Sequence, residues 1–241
     1  MHRQLSNIVR QASLRSCYCH QFLMEAPQLP AADTSSRSRK LSTTPPQKEG
    51  WLSSKMMETR QRFGMAEKPK SYYRLKGLEL FRGVESVDWK EYFRVFNMPD
   101  TFHSWFLVIE LHMWMLNVRI NNEGGAGDHL KRFSLESMWD ASKIRAKNLE
   151  SYSSSSLRES FDDLYEELMA AFLMYDLGLL GSDVDLANAL WYRFLQEKCD
   201  DPEKLELLVR HIRKQIDLLE KLSKEEFIDK TGVTWLPLSS K

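Results

Sequence analysis

The chain has 241 residues, a length that fits one domain with a tail or at most two small domains. Its 34 basic and 34 acidic residues cancel, which argues against a dominant nucleic-acid-binding surface, and a hydrophobic fraction of 42% is enough for a core. Of the three cysteines, Cys17 and Cys19 lie in a segment expected to be removed, which leaves Cys199 alone and no disulfide framework or zinc knuckle.

Residues 1–24 contain Arg3, Arg10 and Arg15 and no acid. Leu5, Ile8, Val9 and Ala12 recur on one helix face, and Arg3 and Arg10 lie opposite them. That is the composition of a mitochondrial transit peptide, and the segment lacks the apolar run of a secretory signal. Residues 1–41 carry six basic and two acidic residues, a net of +4 that leaves −4 for the rest. The expectation is a disordered targeting segment over 1–41, ending near Arg39-Lys40-Leu41-Ser42. A linker rich in Ser, Thr and Pro with a short polar helix (53–64) follows over 42–70.

From residue 71 to 238 the pattern predicts an all-α, compact multi-helix domain. Tyr72 to Val84 has helical spacing. Asp88 stands ready to cap a helix through Phe96, with Trp89, Tyr92, Phe93 and Phe96 on one face. A buried central helix is expected over about 101–121, with Asp100 or Thr101 as its cap. It is apolar on nearly every side, yet Glu110, His112, Asn117 and Arg119 argue against a membrane span.

Gly124, Gly125 and Gly127 break the chain before a helix from about Asp128 to Asn148. Ser153 to Ser156 form a polar break. The next helix starts at Leu157 with Phe161, Leu164, Leu168, Ala171, Phe172 and Tyr175 inward, closed by Gly178 and Gly181. Ser182 and Asp185 have capping-box spacing, and Leu186, Ala189, Leu190 and Phe194 follow on an inward face. Asp201-Pro202-Glu203 opens a last helix with the stripe Leu205, Leu208, Val209, Ile212, Ile216 and Leu219.

Catalytic and metal motifs are sparse. The histidines lack the Glu-x-x-His spacing of di-metal bundles, and there is no Walker A or G-x-S-x-G sequence. His112 reads as a core histidine, a ligand or base, or a polar contact at a partner surface. Glu159, Asp162, Asp163 and Glu166 form an acidic stripe: paired carboxylates for acid/base chemistry, a solvated face, or a dock for a basic partner, of which the solvated face is the expectation. Arg210, Arg213, Lys214 and Lys221 form a basic stripe, either solvated or a dock for RNA or anionic lipid. Arg119 and Trp191 are the candidate polar and aromatic contacts to a partner or client.

The run Met98-Pro99-Asp100-Thr101-Phe102, with Ser104-Trp105-Phe106, Leu111-His112, Trp114-Met115 and Arg119, carries a resemblance. It continues in Met138-Trp139-Asp140, Tyr175-Asp176 with Gly178, Ala189-Leu190-Trp191, Lys198-Cys199 with Asp201-Pro202, Arg213-Lys214-Gln215-Ile216, and Trp235 with Pro237-Leu238. Over roughly residues 70–238 the chain resembles the ubiquinol–cytochrome c chaperone family, assembly factors for cytochrome b of respiratory complex III. Two places depart from it. Tyr192 stands where many relatives have an arginine, with Arg193 next, and Met174-Tyr175-Asp176-Leu177-Gly178 replaces Gly-Tyr-Asp-Glu-Gly.

The resemblance implies a non-enzymatic chaperone without a cofactor, on the matrix side of the mitochondrial inner membrane with peripheral membrane association. Cytochrome b would be its client, beside a small partner assembly factor and the mitochondrial ribosome. The rival expectation is a helical mitochondrial enzyme or small-ligand-binding protein with a pocket around Glu110, His112 and Arg119.

Overall fold

The computed structural model describes residues 68–149 and 154–238. The expected targeting segment, the linker and its short helix at 53–64 lie outside these residues. Among the described residues there are seven α-helices and no strand. They are α1 (Lys70–Glu85), α2 (Trp89–Phe96), α3 (Phe102–Ile120), α4 (Gly125–Leu149), α5 (Ser154–Leu180), α6 (Asp183–Ala189) and α7 (Pro202–Lys221).

Helix α3 is the axis of the domain. Thr101 caps it by accepting a hydrogen bond from the Ser104 amide at 3.2 Å, so the cap is Thr101 and not Asp100. Sixteen of its 19 residues are buried. Helices α1, α2, α4, α5 and α7 all pack on it, which is why its sequence is apolar all round. Trp105 and Trp114 are both buried in this core. No helix of the described residues is long and apolar enough to cross a membrane.

The remaining helix ends follow local chemistry, with four departures from the expected boundaries. Asp88 occupies the cap position of α2, but its side chain makes no cap bond. Helix α4 starts at Gly125, so only Gly124, with φ at 60°, breaks the chain. Helix α5 is already under way at Ser154, earlier than Leu157. Gly178 lies inside α5 rather than ending it. A Cβ there would stand 2.9 Å from the Leu186 Cα, so the glycine serves the close approach of α6. Ser182 and Asp185 form the expected capping box. Asp201 caps α7 by accepting from the Glu203 and Lys204 amides, with Pro202 in the first turn.

Helices α1 and α4 cross closely at Gly77, where a Cβ would meet the Phe133 Cβ at 2.6 Å. After α7 and a wide turn at Glu225–Asp229, the chain runs to Leu238 without helix or strand and is strapped onto the domain. Buried Gln215 holds this strap as a second backbone would. Its Nε2 donates to the Thr234 carbonyl at 3.0 Å, and its Oε1 accepts from the Leu236 amide at 2.8 Å. The Trp235 indole donates to the Gly83 carbonyl at 3.0 Å, and the Leu238 amide to Glu91 at 3.0 Å.

Candidate functional site

The polar residues of α3 leave it in different directions, because 3.6 residues per turn puts Glu110 and His112 roughly 200° apart. Glu110 faces α5 and the wide turn Leu190–Phe194 that extends α6. Its fully buried carboxylate takes two hydrogen bonds from Arg193, Nε at 3.0 Å and Nη2 at 2.7 Å, and one from the Tyr175 hydroxyl at 3.2 Å. Arg193 also reaches Glu167 at the surface, at 2.9 Å. Burial pushes the Glu110 carboxyl upward, and the Arg193 bonds oppose it. Burial works against the Arg193 charge too, but the two carboxylates outweigh it and its pKa is raised. A buried carboxylate in an apolar helix needs such a fork; unpaired, it would carry several kcal/mol of desolvation cost.

On the opposite side, His112 Nδ1 donates to the Val108 carbonyl at 2.7 Å. That bond fixes the tautomer: Nε2 has no proton and accepts from the Tyr92 hydroxyl at 3.2 Å. The Tyr92 oxygen in turn accepts from His211 Nε2 at 3.1 Å. Trp235 stacks edge-on against His112, with ring centroids 4.8 Å apart. Burial lowers His112 to about 3 and His211 to about 4, so both rings are neutral here. Burial also raises the Tyr92 hydroxyl.

Farther along α3, the Trp114 indole donates to Asp176 at 2.8 Å. Burial raises the Asp176 carboxyl, and the indole bond opposes it. Arg119 pairs with Glu123 at 2.7 Å, donates to the Leu222 carbonyl at 2.8 Å, and lies over the Phe227 ring at 4.5 Å. The Asn117 amide is buried and makes no side-chain hydrogen bond.

The pocket expected around Glu110, His112 and Arg119 is therefore not formed. Arg119 lies about 10 Å along the axis from His112, and Glu110 points the other way. Each of the three is packed and bonded to its own partners. Among the described residues no group of three or more His, Cys, Asp or Glu is placed to hold a metal ion.

The six residues expected to meet a partner divide by exposure. His112 and Arg119 are buried and turned inward. Trp191 is half-buried and donates to the Cys199 carbonyl at 3.0 Å. Arg213 is half-buried and tied to Asp183 at 2.7 Å and to the Leu179 carbonyl. Arg210 is exposed and paired within α7 to Glu206 at 2.6 Å. Lys214 is exposed. Sequence reasoning missed Arg193, Tyr92 and Gln215, although a buried Glu110 demands a cation somewhere in the chain. It also missed the exposed apolar side chains Leu173, Leu177 and Val184. A groove of about 460 Å³ lined by Trp89, Phe93, Met98, Lys90, Arg94 and two aspartates opens beside α2.

The profile of the family described as Ubiquinol-cytochrome C chaperone matches residues 94–235. The chain is 42% identical over 158 residues to Ubiquinol-cytochrome-c reductase complex assembly factor 1 of Xenopus laevis, covering 66% of this chain and 78% of the frog protein. It is 35% identical over 210 residues to Ubiquinol-cytochrome c reductase complex assembly factor 1 of Homo sapiens, covering 85% and 70%. It is 28% identical over 162 residues to Protein CBP3, mitochondrial, of Saccharomyces cerevisiae, covering 65% and 48%. No solved structure matches the chain.

Proposed function

The chain belongs to the ubiquinol–cytochrome c chaperone family, a family of assembly factors and not of enzymes, and from that premise we propose that it holds newly made cytochrome b during assembly of respiratory complex III. The supporting observation is how its motif residues are spent. His112, Trp114, Tyr175 and Asp176 bond to other side chains inside the domain, Tyr175 to the buried Glu110. They build a rigid scaffold, and what remains to meet a client is its outer surface.

The proposal places the protein on the matrix side of the inner membrane, attached peripherally, with a small partner assembly factor and the mitochondrial ribosome nearby. Residues 1–41 act as the transit peptide. Arg3→Glu with Arg10→Glu abolishes import on this reading, and unchanged import would refute it. Exposed Arg210 and Lys214 are kept as candidate contacts, with Trp191 and Arg213 at the edge of the surface. His112 and Arg119 act as positioning residues within the fold. The test of the client is direct. Mitochondrial translation is pulse-labelled and the tagged full chain is purified under mild conditions. Labelled cytochrome b co-purifies on this account; recovery of other translation products without it would count against the proposal.

A further inference from the structure

The outer face of α5 is divided into two halves of different chemistry. Residues at i, i+3, i+7, i+10 and i+14 from Asp163 lie along one side of the helix, and they are Asp163, Glu166, Ala170, Leu173 and Leu177. All five are exposed. Leu173 is 49% exposed and Leu177 63%, and Val184 follows at 68% in the first turn of α6. Single exposed leucines are ordinary; leucines one turn apart on one face form an unpartnered stripe.

The other half of the face is acidic. Asp162, Asp163 and Glu166 are exposed, and among the described residues no hydrogen bond or ion pair occupies their carboxylates. The ridge from Asp163 to Leu177 is ~21 Å long at 1.5 Å per residue. It asks for an occupant that is apolar at one end and basic at the other.

We propose that this ridge docks the end of an apolar helix where it runs into its Lys/Arg flank. Leu173 and Leu177 cover the apolar turns, and Asp162, Asp163 and Glu166 meet the basic residues. Membrane-spanning helices have this pattern on the side of the bilayer that retains positive charge. The inference thus rests on the reading that the client is a membrane protein. An anionic lipid surface fits poorly, because it would face the three carboxylates. Arg213, which donates to the Leu179 carbonyl near the ridge's far end, is already engaged by Asp183.

The experiment measures binding of the full chain to a fluorescent synthetic Leu/Ala helix ending in a run of lysines. Leu173→Glu with Leu177→Glu weakens it about tenfold or more, and so does Asp163→Lys with Glu166→Lys. The charge-reversed variant regains binding to the same helix ending in glutamates. All substituted positions are exposed, so melting temperatures stay within a few degrees of the parent. Unchanged affinity in the leucine variant, with native melting, overturns the proposal. So does stronger binding to mixed phosphatidylcholine and phosphatidylglycerol vesicles that is lost in the leucine variant, since the ridge would then be a membrane contact. If the peptide results hold but cytochrome b does not co-purify, the ridge stands and the client differs. If cytochrome b co-purifies equally with both variants, the ridge fails and the client reading stands.

Discussion

Arg193 donates to both carboxylate oxygens of Glu110, at 3.0 and 2.7 Å, from 83 residues along the chain. This fork ties the centre of α3 to the wide turn after α6, and through Glu167 to α5. Removing Arg193 leaves the Glu110 carboxylate without a cation in a dry site, whereas Arg193 without Glu110 keeps its Glu167 partner. Arg193→Met is expected to cost about 3–5 kcal/mol in urea unfolding and Glu110→Leu less, whereas the two together recover much of the loss. A double-variant cost equal to the sum of the two single-variant costs would show that the pair is not coupled.

Trp114 is both a core filler and the donor to Asp176. Trp114→Ala should lower stability by about 3–5 kcal/mol through the cavity it leaves. Trp114→Phe keeps much of the volume but strands the Asp176 carboxylate, at a cost of about 1–3 kcal/mol. Thermal melts of the two variants separate the packing and hydrogen-bond contributions.

The relay His112–Tyr92–His211 makes stability depend on pH. Both rings have depressed pKa values, from 6.5 to about 3 and about 4, because burial excludes the charged form. Below pH 6.5 the unfolded chain takes up protons that the folded one refuses. The histidine contribution is therefore intact above pH 6.5 and is lost progressively as pH falls toward 4. His211→Gln keeps a donor for Tyr92 and cannot titrate. Its stability should fall less steeply with acid over that window, by up to about 1.4 kcal/mol per pH unit. Parallel curves for parent and variant would disprove the assignment.

The crossing of α1 and α4 has no room for a methyl group at Gly77. Gly77→Ala is expected to destabilise by about 1–3 kcal/mol in spite of alanine's better helix propensity. A stabilised variant would mean that the two helices separate at little cost.

The parts of this fold that rest on local chemistry were legible in the sequence. Thr101, the Ser182–Asp185 box and Asp201-Pro202 are caps whose partners lie within a turn. The burial of α3 followed from its unbroken apolar run. Glycine misled where it has two uses: Gly178 reads as a stop but admits α6 to the side of α5. Grouping Glu110 with His112 and Arg119 into one pocket ignored helical phase, which already sends Glu110 the other way. The Arg193 partner of Glu110 was out of reach, because phase names a side of a helix and not what packs on it. Leu173 and Leu177 were passed over for a similar reason. Apolar spacing identifies a face, but only the packed structure shows that this one is uncovered.

The central claim is that the protein serves the biogenesis of one complex through one client. Depleting it and measuring cytochrome b and assembled complex III, beside respiratory complexes built without cytochrome b, tests this most directly. The account predicts that cytochrome b and complex III fall together while the other complexes change less. Normal cytochrome b and normal complex III after full depletion would contradict it.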